Sequence, residues 1–182
     1  MTLKAQKRPS VVDSGAELVA EQIRSAFRGV PYPGDEHLSA WSREEALDQA
    51  GPLVGKRWRD LKFEDVAQSP EALVWLFPEA FRYYLPAYLT MSVRYWRVAP
   101  KVLSCVVFML SSGPKTWEGW SQKGRHYQRT GAGFSPEQQA AIERGLEYLL
   151  ESEIDSVRKA QIRHALDSHW SKTARGHRGR SG

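Results

Sequence analysis

Apolar side chains recur every three or four residues along most of this chain, the period of helices with one face turned inward. Ala16, Val19, Ile23 and Phe27 follow that spacing and predict a first helix from about Gly15 to Arg28, opened by Ser14 with Glu17 as a capping box. Gly29, Pro31, Pro33 and Gly34 then forbid regular structure, so a turn-rich connection follows. A shorter helix is expected over about Ser42 to Gln49, ended by Gly51-Pro52. Another is expected to begin near Lys56 and carry Trp58 and Leu61.

Residues 70–96 read as the centre of the molecule. Phe81, Leu85, Tyr88, Met91 and Tyr95 keep the helical period while Tyr84, Ala87 and Leu89 fill the remaining sides, the pattern of a helix surrounded by protein. Pro86 lies inside that pattern, lacks the N–H that would bond residue 82, and is expected to kink it. Three Pro-Glu pairs, at Pro70, Pro78 and Pro136, put proline at a first helical position with an acid favoured by the helix dipole behind it. Glu71 and Glu79 are thereby explained without invoking a catalytic carboxylate pair. The apolar run Val102 to Leu110, closed by Ser111-Ser112-Gly113-Pro114, reads best as a helix with a breaker. Pro136 to Glu151 predicts a helix with Ile142, Leu146 and Leu149 inward and Glu143 and Glu147 outward. A further helix, Ile154 to Trp170, turns Ile154, Val157, Ile162 and Leu166 inward.

These patterns predict an all-α or α-dominated fold: one compact helical domain over residues 13–170 with a kinked central helix, between a flexible basic N-terminus, 1–12, and a disordered basic tail, 171–182. A chain of 182 residues builds a core without a metal or disulfide staple.

Charge changes the picture through its distribution. The net +5 resides in the two ends, which carry seven bases and no acid, whereas residues 13–169 are net −2. Within them, residues 13–84 carry −5, residues 85–133 carry +6 with Glu118 as their one acid, and residues 134–169 carry −3. A basic overall balance therefore does not mark a nucleic-acid-binding body. The middle segment has the charge to steer an acidic partner.

Familiar chemistries are set aside on their spacing. Gly51-Pro-Leu-Val-Gly55-Lys56-Arg57 is one residue short of a phosphate loop and has Arg where the magnesium-binding hydroxyl belongs. His164 and His169 are five apart and do not share a helix face, and no Cys or third His joins them at metal spacing, so neither metal nor cofactor is expected. The single cysteine, Cys105, sits in an apolar run without a His partner; it reads as a buried thiol and fits a reducing cytoplasm. Neither a secretory leader nor a membrane span is visible in the apolar pattern.

One segment mixes residues suited to contact. Residues 115–129 interleave Trp117, Trp120 and Tyr127 with Lys115, Lys123, Arg125 and Arg129. Trp and Arg are enriched at protein-binding hot spots, and the same mixture stacks bases and touches phosphates. The partner-binding candidates are therefore Trp117, Trp120, Arg125, Tyr127 and Arg129. Arg82, Tyr83 and Tyr84, in a helix with almost no polar face, read instead as structural.

The run Pro78-Glu-Ala-Phe-Arg-Tyr-Tyr-Leu-Pro-Ala-Tyr-Leu89, with Trp58 to Leu61 before it and Phe134-Ser-Pro-Glu-Gln138 after it, resembles a family of small bacterial proteins of unknown function over roughly residues 40–150. That resemblance implies a bacterial, mostly helical, cytoplasmic protein and carries over no site residue. The leading expectation is a non-catalytic protein-binding domain, of the kind an immunity protein neutralising a toxin represents. The alternatives are nucleic-acid binding through residues 115–129 and the basic tail, and an enzyme of unrecognised type.

Overall fold

Seven α-helices account for most of residues 13–39, 50–111, 133–153 and 155–170, the residues described by the computed structural model. α1 (Ser14–Ala26) is followed by two short helices, α2 (Phe63–Gln68) and α3 (Ala72–Trp75). The long α4 (Pro78–Tyr95), α5 (Pro100–Ser111) and α6 (Pro136–Ser152) come next. α7 (Ser156–Ala165) is prolonged by a wider π turn, Leu166–Trp170. No strand occurs among the described residues; Ser39 and Leu76 form an isolated antiparallel bridge.

Local chemistry fixes where the helices start. Ser135 accepts a hydrogen bond from the Gln138 N–H while the Gln138 side chain accepts from the Ser135 N–H, so α6 opens on the expected capping box. Pro78 opens α4 behind an extended Phe77. α1 corrects the sequence reading: Asp13, not Ser14, is the cap, its carboxylate accepting from the Gly15 N–H at 3.1 Å. The stretch from Lys56 is a second correction. Residues 58–60 form a turn that buries Trp58 and Leu61, and α2 begins only at Phe63 after Asp65 accepts from the Lys62 N–H. The short helix expected over Pro70 to Leu76 is present but starts two residues late, at Ala72. The Ser69 carbonyl accepts the Ala72 N–H and the Tyr88 hydroxyl, which holds Pro70-Glu71 in a turn before α3. The helix expected over 42–49 and both chain ends lie outside the described residues.

α4 is the hub, packed against α1, α5 and α6 and buried on nearly every side. Pro86 lies buried within it without ending the helix. Glu17 of α1 pairs with Arg94 of α4, and the Tyr148 hydroxyl of α6 donates to Asp13; at the opposite end Phe27 meets Phe134. α1 is thus antiparallel to both α4 and α6. α6 crosses close where it has Gly145, whose position would put a Cβ 3.3 Å from Leu89 and 3.4 Å from Ile23. α5 returns antiparallel to α4 and rests on α7, burying Leu103, Val106 and Val107. Ile162 and Leu166 are buried as expected, but Val157 is 65% exposed: α7 turns Ile162 and Ala165 inward and leaves Val157 on its outer side.

Candidate interaction surface

The side chains with the most chemistry in the core are spent on holding it together. The Tyr84 hydroxyl lies 2.8 Å from the Leu53 carbonyl and 2.7 Å from that of Lys56, and the Tyr88 hydroxyl donates to the Ser69 carbonyl at 2.7 Å. Burial pushes both phenols well above the ordinary tyrosine range, so they stay neutral donors. Tyr83 packs edge-on against Tyr32 and Tyr84. Tyr32 in turn donates to Asp35, whose carboxylate also accepts the Gly55 N–H at 2.8 Å and is held below its usual range by those two bonds. Cys105 is 7% exposed, and burial, aided by the charge of Glu71, pushes its thiol up to about 12. It is protonated at neutral pH and unsuited to nucleophilic work.

The outer face of α5 is different. Lys101, Ser104 and Phe108 follow one another at helical spacing and all face solvent, with Phe108 50% exposed. α5 contains no acidic residue. Just before it, Arg97 lies over the Trp96 ring at 4.5 Å, beside the exposed Val98.

α5 ends at the pole of the bundle where the chain leaves at Ser111 and returns at Gly133, and that pole is firmly built. The buried Trp170 indole N–H donates to the Leu110 carbonyl at 3.1 Å. Phe134 stands edge-on between Trp170, at 5.9 Å, and Phe27, at 6.0 Å. The Arg82 guanidinium lies over the Phe134 ring at 5.9 Å. Gly133 has φ +120°, a conformation L side chains rarely adopt, and a Cβ there would stand 3.2 Å from Arg82 Nη1.

Trp117, Trp120, Arg125, Tyr127 and Arg129 lie outside the described residues; the nearest described residues on either side, Ser111 and Gly133, stand at the Phe134 pole. Reading the sequence missed three features of the described surface and pole: the Trp170 anchor, the Phe108 face and the solitary position of Arg82. The Lys101, Ser104, Phe108 spacing was a visible signal for the second. No cluster of His, Cys, Asp or Glu capable of holding a metal occurs among the described residues, and no helix there is long and apolar enough to cross a membrane.

Searches of curated proteins and of solved structures each found no match to the chain. A family model does match, over residues 16–174, which extends the resemblance beyond the central run into α1 at one side and past Trp170 at the other. The region matched therefore takes in the whole bundle from α1 to the π turn, and the chain belongs to the family of unknown function DUF6714.

Proposed function

We propose that this chain is a non-catalytic protein-binding domain working in a bacterial cytoplasm, which meets its partner through segment 115–129 and the adjoining outer face of α5. Neutralisation of a toxin is one form such binding takes. The observation that carries the reading is Phe108: a large aromatic side chain left half exposed on a helix with no acidic residue, in the last turn of that helix and nine residues ahead of Trp117 in the sequence. The buried state of Cys105, Tyr84 and Tyr88 supports it from the other side, since their chemistry is committed to the core.

The test is capture of partners from native cells with the full chain, followed by nuclease and a salt wash. One stoichiometric protein that survives both and is lost with Phe108→Ala, Trp117→Ala or Trp120→Ala is expected, with unchanged thermal melts for the variants. Capture that is indifferent to all three substitutions would overturn the reading. The alternation of aromatic and basic residues in 115–129, continued by the basic tail, favours nucleic acid as a second reading. Nucleic acid released steeply by salt would establish it instead.

A further inference from the structure

An arginine drawn partly out of water needs a partner for its charge, because desolvation penalises an uncompensated ion. Four described arginines are part-buried. Arg24 meets Glu21 at 2.8 Å, Arg158 meets Glu153 at 2.8 Å, and Arg94 meets Glu17 across the bundle. Arg82 is the fourth, and among the described residues it has no carboxylate. Its Nε, like those of Arg94 and Arg158, is shielded from solvent and makes no hydrogen bond; what sets it apart is that its guanidinium rests on the Phe134 ring and not against a carboxylate.

We propose that Arg82 is a carboxylate-binding anchor, and that it receives an acidic side chain of the partner. The inference rests on the protein-binding reading above for the source of that carboxylate. The guanidinium is already oriented by Phe134, so little side-chain freedom is lost when it is engaged. Gly133 supplies no side chain beside it, at a position where even a Cβ would come within 3.2 Å of Nη1. The site stands where the chain leaves for and returns from its contact segment.

A single carboxylate fits this place better than a nucleic-acid backbone. Arg82 is one cation, and the first turns of the two helices that flank it carry Glu79 and Glu137, which repel a polyanion. A carboxylate accepts a bidentate pair from one guanidinium and needs no row of further bases.

The experiment labels the arginine side chains of the full chain with 15N and titrates it separately with an end-blocked hexapeptide carrying a single glutamate and with inorganic phosphate. The Arg82 Nε–H signal is expected to move and saturate with the peptide, at concentrations where the exposed Arg57 and Arg163 show only a small linear drift. Arg82→Gln should weaken the peptide about tenfold or more, and Arg82→Lys should restore part of the loss. An unmoved Arg82 signal in the wild-type chain overturns the proposal without recourse to any variant that fails to fold. A signal that responds to phosphate at least as readily as to peptide also overturns it, in favour of the nucleic-acid reading. The two levels fail separately. Saturation by peptide with no protein captured from cells would leave the anchor standing and remove the protein-binding function. A captured partner held equally well by Arg82→Gln would do the reverse.

Discussion

Cys105 sits on the inward side of α5, where burial rather than any neighbouring cation governs its thiol, and its ionisation is therefore coupled to unfolding. Its folded value, about 12, lies above the ordinary 9.0. The neutral thiol is the form the fold favours, so the contribution is constant below pH 9 and is lost as pH rises from there towards 12, by up to about 1.4 kcal/mol per pH unit. Tyr84 and Tyr88 act in the same direction from about pH 10 upward. Thermal melts between pH 9 and 10 should show a falling midpoint, and Cys105→Ala should flatten that fall while lowering the midpoint at pH 7. The native thiol should react with a thiol reagent only at the rate of unfolding. Gly133 gives the second expectation at this scale. Alanine there meets both a positive φ and the Arg82 guanidinium, and should cost about 1 kcal/mol or more in urea unfolding. Gly29→Ala, which meets nothing within 4 Å and has no positive φ, should stay within about 0.5 kcal/mol.

Between elements, α4 is tied to the chain before it by phenol-to-carbonyl bonds as well as by packing. Tyr84→Phe removes the one hydroxyl proton shared by the carbonyls of Leu53, which keeps the Lys56 N–H, and Lys56, and a loss of about 1–3 kcal/mol in urea unfolding is expected, with the helix content of the folded state unchanged. These ties also explain which elements the sequence made legible. α4, α5 and α6 could be read because their apolar period is long and two of them open on Pro-Glu, signals contained within each helix. Pro70-Glu71 carries the same signal, but the helix it announces starts only at Ala72, where the Ser69 carbonyl also takes a tertiary bond from the Tyr88 hydroxyl that no local pattern announces. Asp13 displaced Ser14 as cap by a single residue, since either side chain can serve there and an ionised carboxylate is the stronger acceptor. The surface was legible only in part, for the same reason. Lys101, Ser104 and Phe108 share a period visible in the sequence, whereas the solitary state of Arg82 is a comparison among pairs as distant as Glu17 and Arg94, separated by 77 residues.

At the scale of the whole molecule, a negative body with a positive middle segment carries two basic ends, and the middle segment and the C-terminal end make opposite statements about the partner. Four of the basic residues, Lys172, Arg175, Arg178 and Arg180, belong to the last thirteen positions and lie beyond the region the family model matches, apart from Lys172. The middle segment runs instead through α5 with its Phe108 face and returns at Gly133 beside Arg82. Removing residues 171–182 therefore separates the two sources of attraction. If the partner is an acidic protein, its affinity should change by less than about threefold, because rim charges act mainly on the association rate. If the partner is nucleic acid, each lost phosphate contact should lower the slope of log affinity against log salt by about 0.9 on a duplex, or about 0.7 on a single strand, and binding at low salt should collapse. Affinities of the full and shortened chains across a salt series supply both quantities. A weakened, less salt-dependent complex after truncation would place recognition in the tail and against the bundle pole. An unchanged complex would place it on the folded surface, where Phe108 supplies apolar contact and the middle segment supplies the charge.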